Sequence, residues 1–353
     1  MRTIKTGIVG IGRIADAHIN ELSALTGKFQ IIAVADNDPE RLANLPEKVK
    51  GVLKYPSLEK MLGNPDIEMV TICTRHPDHV PMALKIMDAG KIAVVEKPVA
   101  TCVAEMELLR EAEKKHPGKL FFRHNRRFEP AFRKAKQLLD SGLIGEIQYI
   151  KLYRSVGYCR RNDWMTMTEF YGGLLSNWGP HLIDQALQVL DSPVKDLWAD
   201  VRHVISIGDG DDLFKILLKA ENGRLADIEV TGANTMPGRE MEIIGSRGTL
   251  IYNGGPKLEV RRIDPSVELK TLKPHPENPP KKYGNFDETL YFVEEKYDVP
   301  NGSLGDLWGT IYDAVVNGIP CPVTFEQAYQ VVKVTEEAFR KSGFEPIRKF
   351  FGK

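Results

Sequence analysis

The sequence predicts an α/β protein of two domains: a parallel sheet covered by helices on both faces, then an α+β domain with a large, mostly antiparallel sheet. Three observations support this. The chain has 353 residues, and one domain usually takes roughly 100–200. In its first third, short apolar runs alternate with helical patterns, which is typical of parallel sheets. Farther along, strand-like runs are joined by short turn signals, which favour antiparallel neighbours.

The first domain is predicted from five apolar runs and three helical segments. Short, nearly continuous apolar runs are typical of strands that are buried on both faces. The predicted strands are one that closes at residues 8–9, then 31–35, 68–73, 92–95 and 120–122, and the predicted helices are 14–25, 80–89 and 103–115.

The second domain is predicted from longer strand-like runs that begin after His124. Short turn signals at 221–223 and 246–248 join several of them. The predicted strands are 147–156, 200–207, 212–220, 224–231, 240–244 and 249–252, and the predicted helices are 130–139, 304–316 and 325–341. The proline-rich stretch 274–283 is expected to be an extended crossing segment or a surface loop. We therefore divide the chain into domains at 1–124 and 125–353.

Composition narrows the class of protein. The chain has 48 Lys+Arg and 48 Asp+Glu, a balance that argues against nucleic-acid binding. No apolar run approaches the ~18 residues of a membrane span, and the N-terminus lacks the features of a secretory signal. The four cysteines have no C-x-x-C spacing. We expect small buried thiols in a reducing compartment, the cytoplasm, with neither disulfides nor zinc.

A glycine-rich turn follows the first strand. It reads Gly10-Ile11-Gly12-Arg13-Ile14-Ala15 and opens a predicted helix. The first glycine permits a tight turn, the second lets the backbone approach a pyrophosphate, and the alanine allows close packing of helix on strand. The N–H groups at the start of the helix attract the phosphate charge. Although a generic strand–helix turn could also contain glycines, this context predicts a dinucleotide site.

The next strand ends at Asp36, which lies 21 residues after Ala15. A carboxylate there can accept hydrogen bonds from the adenosine ribose hydroxyls and repels a 2′-phosphate. We therefore expect NAD rather than NADP. Arg13 and Asn37 weaken this preference slightly, since either residue could contact a phosphate.

Glu96-Lys97-Pro98 follows the 92–95 strand, at the edge where ligands bind in such sheets. Burial and the cationic ring of an oxidised nicotinamide both lower a lysine pKa. Lys97 could then exchange a proton with a substrate hydroxyl near neutral pH. The alternative is a surface lysine in a loop, and position alone favours that alternative.

A second chemical candidate follows Gly172-Gly173, where the sequence continues to Asn177-Trp178-Gly179-Pro180-His181. His181 could relay a proton or hold a substrate hydroxyl. Asp184 lies three residues on, on the same helix face, and could orient it. A helix-capping or core histidine is the alternative.

These motifs together resemble the glucose-fructose oxidoreductase/inositol dehydrogenase/MocA family, over nearly the whole chain. The segments 74–79 and 125–128 resemble the family's loop after the fourth strand and its link between domains. The resemblance implies a Rossmann domain, an open-faced sheet domain, and hydride transfer between a nicotinamide and a sugar, polyol or cyclitol hydroxyl. It also implies a homodimer or homotetramer that pairs through the sheet.

The resemblance also implies roles for individual residues. Lys97 and His181 would act at the substrate hydroxyl. Glu96 and the Pro98 turn, whose bond is often cis in the family, would shape the nicotinamide site. The cofactor set then reads Gly10, Ile11, Gly12, Arg13, Ile14, Asp36, Thr74, His79, Glu96, Lys97 and Asn125.

Asn177 departs from the family pattern, because many members carry Asp there. An amide neither takes up nor releases a proton in the working pH range, so a relay would depend on Lys97 and His181. Asn177 could still position a substrate hydroxyl.

Several residues allow two interpretations. Arg154 and Trp164 suit a substrate-binding loop, because arginine binds carboxylates and tryptophan stacks on sugar faces; an exposed loop with one buried tryptophan is the alternative. The basic residues 123–127 indicate ion pairing at the domain seam more than an anion site. His76 and His79 lack a third ligand, so no metal is expected. Tyr283 could reach the site.

Three functions remain open from the sequence. The first is an NAD-dependent oxidoreductase acting on a small carbohydrate-like substrate. The second is a dinucleotide-binding sensor without turnover, which Asn177 suggests. The third is an enzyme that retains NAD through a redox-neutral lyase or glycoside-cleaving cycle.

Overall fold

Two sheets organise the protein, as predicted. The computed structural model describes residues 2–157, 160–271 and 290–344. The proline-rich stretch, Tyr283 and Cys159 lie outside these ranges. The α/β class, with a parallel sheet followed by a mostly antiparallel one, is confirmed.

The first sheet has the strand order β3-β2-β1-β4-β5-β6 among the described residues, and every pair in it is parallel. Its strands are β1 (Ile4–Val9), β2 (Phe29–Ala35), β3 (Leu53–Tyr55), β4 (Met69–Ile72), β5 (Ile92–Val95) and β6 (Leu120–Phe122). Its helices are α1 (Arg13–Ala24), α2 (Pro39–Ala43), α3 (Leu58–Leu62), α4 (His79–Asp88) and α5 (Val103–Lys115). The order reverses between β1 and β4, and such a switch point opens a crevice at the carboxyl ends of the strands.

The second sheet has eight strands within the described ranges, in the order β14-β13-β12-β11-β7-β10-β9-β8. Its strands are β7 (Ile147–Ser155), β8 (Val194–Arg202), β9 (Leu213–Ala220), β10 (Leu225–Thr231), β11 (Met241–Gly245), β12 (Gly248–Tyr252), β13 (Lys257–Ile263) and β14 (Phe292–Asp298). The helices are α6 (Pro130–Asp140), α7 (Leu174–Asn177), α8 (Gly179–Leu190), α9 (Asp306–Asn317) and α10 (Phe325–Ser342). Apolar residues of α6, α8 and α10 form one core with one face of this sheet.

The predicted strand 200–207 is wrong in its second half. The strand there is β8, which ends at Arg202, and the chain then bends. The Asp212 carboxylate accepts hydrogen bonds from the N–H groups of Val204, Ile205 and Ser206, at 2.6–2.7 Å. These bonds fold the segment into a loop instead of a ladder.

Helix α9 packs against the first domain although it lies late in the chain. Leu307, Trp308 and Ile311 are buried in the core of the first sheet. The Trp308 indole N–H donates to Glu21 at 2.8 Å. Helix α9 thus packs in the core of the first domain although it lies far beyond residue 124, and α10 contributes to the cores of both domains. The boundary at residue 124 stays a prediction.

Two smaller expectations concern cysteines and membranes. Cys73 and Cys102 are buried, as predicted, whereas Cys321 is half-buried. Among the described residues, no helix has both the length and the apolar character needed to cross a membrane.

Candidate active site

A cleft of about 950 Å³ lies along the carboxyl ends of the first sheet and is closed on one side by α7 and α8. It contains most of the predicted site residues. These are Gly10, Gly12, Arg13, Ile14, Asp36, Thr74, His79, Glu96, Lys97, Asn125, Trp164, Asn177 and His181. Residues more than 170 positions apart are thus brought to one surface.

The glycine-rich turn forms one end of the cleft. Gly10 has φ +86°, and a Cβ there would lie 2.8 Å from the Cys73 carbonyl, so the turn requires glycine. Gly12 precedes α1, and a Cβ on it would meet no atom within 4 Å. The absence of a side chain leaves the N–H groups of the helix open to a pyrophosphate. This cradle fits a dinucleotide.

Asp36 is buried at the end of β2. Its carboxylate accepts from the Ile11 N–H at 2.6 Å and the Asp38 N–H at 2.9 Å. Ile11 therefore holds the aspartate through its backbone. Arg41 lies 3.5 Å from the same carboxylate, and no motif in the sequence marks it as a site residue.

Glu96 lies in a buried polar cluster, beneath the end of the cleft that contains Lys97 and His181. It accepts from the His18 ring at 2.7 Å, from Arg123 at 2.5 Å and from the Lys97 N–H at 3.0 Å. Burial opposes ionisation, but Arg123 and His18 hold the pKa of Glu96 well below its usual range. The Lys97–Pro98 bond that follows is cis.

Lys97 reaches across the cleft to the second domain. Its ammonium donates to the Asn177 side-chain oxygen at 2.6 Å and to the Asn177 backbone carbonyl at 3.0 Å. Burial lowers the Lys97 pKa to about 8; Glu96 opposes this change, and Arg126, Arg123 and Arg161 reinforce it. A lysine in this state can exchange protons near neutral pH.

His181 is buried in the first turn of α8 and lines the same cleft. Burial, together with the charges of Lys97 and Arg126, lowers its pKa well below the usual range. Its Nδ1 has no hydrogen-bond partner among the described residues. His181 is thus a neutral imidazole with a free polar atom.

Asp184 does not orient His181. Both of its oxygens bind the Arg127 guanidinium, at 2.9 and 2.5 Å. The spacing of three residues puts His181 and Asp184 on one helix face, but a buried arginine is the stronger partner for the carboxylate.

Arg154 lies neither in a substrate-binding loop nor in an exposed loop, because it is buried on strand β7. Its guanidinium binds both Glu129 oxygens at 3.1 Å and is also paired with Glu240. It does not line the cleft. Trp164 does line it, edge-on to His76 at 4.9 Å between ring centroids.

His76 and His79 connect the loop after β4 to its surroundings. The His76 ring hydrogen-bonds to the Tyr171 carbonyl at 2.8 Å, and His79 bonds to the Pro98 carbonyl at 2.8 Å. The described part of the chain contains no group of three or more His, Cys, Asp or Glu residues placed to hold a metal.

The cleft is also lined by residues outside the predicted site: Arg41, Arg75, Arg126, Met165 and Trp178. Arg161 lines it as well, three residues before Trp164 in the stretch that could be a substrate loop. Arg41 lies on the short helix α2, Arg126 and Met165 lie on single 3-10 turns, and the others lie on loops or turns. Their approach to one another depends on tertiary packing. No local spacing signals that packing.

The fold and the cleft define a two-domain oxidoreductase with a dinucleotide-binding domain. The family model described as "Oxidoreductase family, NAD-binding Rossmann fold" matches residues 4–124, and the "GFO/IDH/MocA C-terminal domain" model matches residues 132–251. The chain therefore belongs to the glucose-fructose oxidoreductase/inositol dehydrogenase/MocA family.

Named relatives cover most of the chain. An inositol 2-dehydrogenase of Acidothermus cellulolyticus is 28% identical over 74% of this chain and 76% of its own length. The scyllo-inositol 2-dehydrogenase (NADP(+)) IolW of Bacillus subtilis is 26% identical over 96% of this chain and 94% of its own length. The WlbA dehydrogenase of Bordetella pertussis, solved with NADH and UDP-GlcNAcA, is 18% identical and superimposes with a TM-score of 0.77 over 97% of both chains. The last likeness shows the fold alone.

Proposed function

We propose that this protein is an NAD-dependent oxidoreductase that transfers hydride between a nicotinamide and a hydroxyl or ketone of a sugar, polyol or cyclitol. The observation that carries the proposal is the position of Lys97. It lies in the dinucleotide cleft with a pKa of about 8, and its ammonium meets Asn177 from the other domain. The names of relatives, inositol 2-dehydrogenases among them, support the class of substrate.

The proposed oxidation removes a hydride from the carbon of one carbinol group and a proton from its hydroxyl, that is, two electrons and two protons in all. The nicotinamide, when bound, supplies the hydride acceptor in oxidation and the hydride donor in reduction. Lys97, in its neutral form, accepts the hydroxyl proton at Nζ as the C–H bond breaks and the carbonyl forms. In the reverse direction the Lys97 ammonium returns that proton.

In this proposal His181 does not carry a proton. Because its pKa lies well below the usual range, the imidazole stays neutral at the pH where Lys97 works. A neutral ring can both donate and accept one hydrogen bond. We assign His181 to orienting the reacting hydroxyl beside Lys97.

For the cofactor we propose NAD in preference to NADP. Asp36 is buried, and its charge opposes a 2′-phosphate. Arg13 and Arg41, which line the same end of the cleft, reduce this opposition without removing it, since Arg41 is already paired with Asp36 and Asp38.

A homodimer or homotetramer in the cytoplasm completes the proposal. Trp198, Leu217 and Leu225 lie on the neighbouring strands β8, β9 and β10 and are 52%, 39% and 40% exposed. Apolar side chains grouped on a sheet support contact with another subunit.

The test is to incubate the purified protein with NAD or NADP and a panel of sugars, polyols and cyclitols. Turnover is measured by the absorbance of the reduced nicotinamide. We expect net reduction with at least one cyclitol or sugar, and a higher kcat/KM with NAD. Tight cofactor binding without net reduction on any compound would contradict the proposal. Cofactor that co-purifies and gives product without net reduction would indicate the retained-NAD cycle instead.

A further inference from the structure

Four arginines at the domain seam differ in how completely their charge is balanced. Arg123 binds Glu96 and Glu21, Arg127 binds both oxygens of Asp184, and Arg154 is paired with Glu129 and Glu240. Each of these three has a carboxylate on two of its nitrogens, which is the arrangement that buried guanidinium groups need.

Arg126 is the exception. Among the described residues it makes one hydrogen bond to a carboxylate, from Nη1 to Glu129 at 3.0 Å. That carboxylate is shared, because Arg154 binds both of its oxygens and Gln185 donates to it at 3.1 Å. The guanidinium has more N–H donors than this single bond uses.

The environment of Arg126 indicates that its charge is only partly balanced by Glu129, the carboxylate that it shares with Arg154. Its guanidinium lies 4.5 Å from the centre of the Trp178 ring, which holds it over the wall of the cleft. Burial lowers the pKa of Arg126 despite Glu129. By contrast, Glu96 and Glu21 raise the pKa of Arg123, although burial opposes them.

Other charges at this end of the cleft are also mainly positive. Lys97 and Arg161 line it with Arg126. The acids that line this part of the cleft all have cationic partners. Glu96 and Glu21 bind Arg123, and Asp163 is paired with Arg161 at 2.7 Å. Asn177, the residue that touches Lys97, is a neutral amide. An oxidised nicotinamide would add one more positive charge.

We propose that the substrate of this cleft is an anionic carbohydrate, a polyhydroxy compound with a carboxylate or phosphate group that binds Arg126. This inference rests on the proposed function and names the substrate class of the same site. The reacting hydroxyl lies at Lys97 and His181, while the anionic group lies at Arg126 and takes no part in the redox step.

The chemistry of the guanidinium supports an oxyanion here. Its planar fork matches two oxygens of a carboxylate or phosphate, and such charge-assisted bonds are the stronger kind. The Trp178 ring keeps that fork in place, so little side-chain freedom is lost on binding. With a neutral sugar hydroxyl, the charge of Arg126 would be balanced only by Glu129, which Arg126 shares with Arg154.

The experiment compares matched compounds that differ in charge. Glucose is paired with glucuronate, galactose with galacturonate, and each hexose with its phosphate. For each we measure kcat/KM with NAD and the affinity for the protein saturated with NADH. We expect at least one anion to exceed its neutral parent by about tenfold or more, and this advantage to shrink as salt is added. The carboxylate and phosphate arms distinguish the two sources of the oxyanion.

Arg126→Gln tests the residue, with Arg133→Gln as the matched control. Arg133 is an exposed arginine paired with Asp306, and its substitution by Gln removes the same charge. The quantity compared is the ratio of anion to neutral parent within one variant, which is insensitive to partial loss of folding. We expect Arg126→Gln to bring that ratio close to one and Arg133→Gln to leave it unchanged.

Each outcome decides the inference. Equal or better binding and turnover of the neutral parents would overturn it while leaving the proposed oxidoreductase intact. An anion preference that survives Arg126→Gln would overturn the assignment to Arg126. If no compound is turned over, the proposed function is not supported, and the affinities alone then decide whether this end of the cleft prefers anions.

Discussion

At the scale of single residues, the proposed chemistry depends on how Lys97 is held. Both hydrogen bonds that its ammonium makes among the described residues go to Asn177, one to the amide oxygen and one to the backbone. The amide fixes the position of the ammonium without adding a charge. Burial lowers the pKa to about 8, and a carboxylate at position 177 would oppose that effect.

Asn177→Asp is therefore expected to raise the pKa of Lys97. A negative charge in contact with the ammonium stabilises its protonated form, by about 1–3 pKa units. Because oxidation requires neutral Lys97, the acidic limb of kcat/KM against pH should move from near pH 8 to a more alkaline value by that amount. The measurement is the pH profile of the oxidation reaction.

Asn37→Asp is the matched control, since it makes the same change at the cofactor end of the cleft. The acidic limb should stay in place in this variant. A limb that does not move in Asn177→Asp would show that Asn177 does not set the charge state of Lys97.

At the scale of elements, the short helix α7 carries Asn177 into the cleft, and the loop before β9 holds α7. The Asp211 carboxylate accepts from the Leu175 N–H at 2.7 Å, and the Asp211 carbonyl accepts from the Leu174 N–H at 2.8 Å. Gly173 has φ +113°, and a Cβ there would lie 2.0 Å from the Asp211 carboxylate. Glycine is therefore required where the chain enters α7.

Asp211 is expected to make the stability of the fold depend on pH. Burial raises its pKa to about 7, so the folded state binds a proton more tightly than the unfolded chain. Its contribution to stability is present at low pH and is lost as the pH rises from about 4 to 7. Asp211→Asn should remove this dependence and gain stability relative to the wild type across that range, by several kcal/mol at most, at about 1.4 kcal/mol per pKa unit.

Urea unfolding at several pH values measures this difference. The gap between Asp211→Asn and the wild type should widen from pH 4 to pH 7 and stay constant above it. A gap that is independent of pH would show that Asp211 has an ordinary pKa in the fold.

The elements that the sequence predicted well are those with local signals. The glycine turn, Asp36 and Glu96-Lys97-Pro98 each lie at the end of a buried strand, and periodicity locates such strands. Arg154 could not be assigned in this way, because its partner Glu240 is 86 residues away. The strand β14 contains four charged residues among its seven and lies at the edge of the sheet, so it has no apolar pattern from which a strand could be predicted.

At the scale of the whole molecule, the cleft exists because the two domains are held at a fixed seam. Arg127 joins three parts of the chain there. It binds Asp184 on α8, the Pro322 carbonyl and the Gln327 side chain. Arg127 and Asp184 are 8% and 2% exposed, so the pair is buried against α8, the helix that carries His181.

Asp184→Asn is expected to destabilise the fold by about 3–5 kcal/mol, because it leaves Arg127 buried without a counter-charge. Asp306→Asn is the control: it breaks the exposed Arg133–Asp306 pair and should cost no more than about 1 kcal/mol. Free energies of unfolding from urea titration measure both. Equal losses in the two variants would contradict the structural role given to the seam.

The most direct test of the account is the rate of nicotinamide reduction when Lys97 is changed to Ala or to Arg, with cofactor affinity measured on the same samples. The arginine keeps the positive charge but cannot give up its proton. With a substrate from the panel, both variants should bind NAD yet lose about 10²–10⁴-fold in kcat, and a small primary amine should partly restore Lys97→Ala. Turnover within a few-fold of the wild type in either variant would contradict the acid–base role of Lys97.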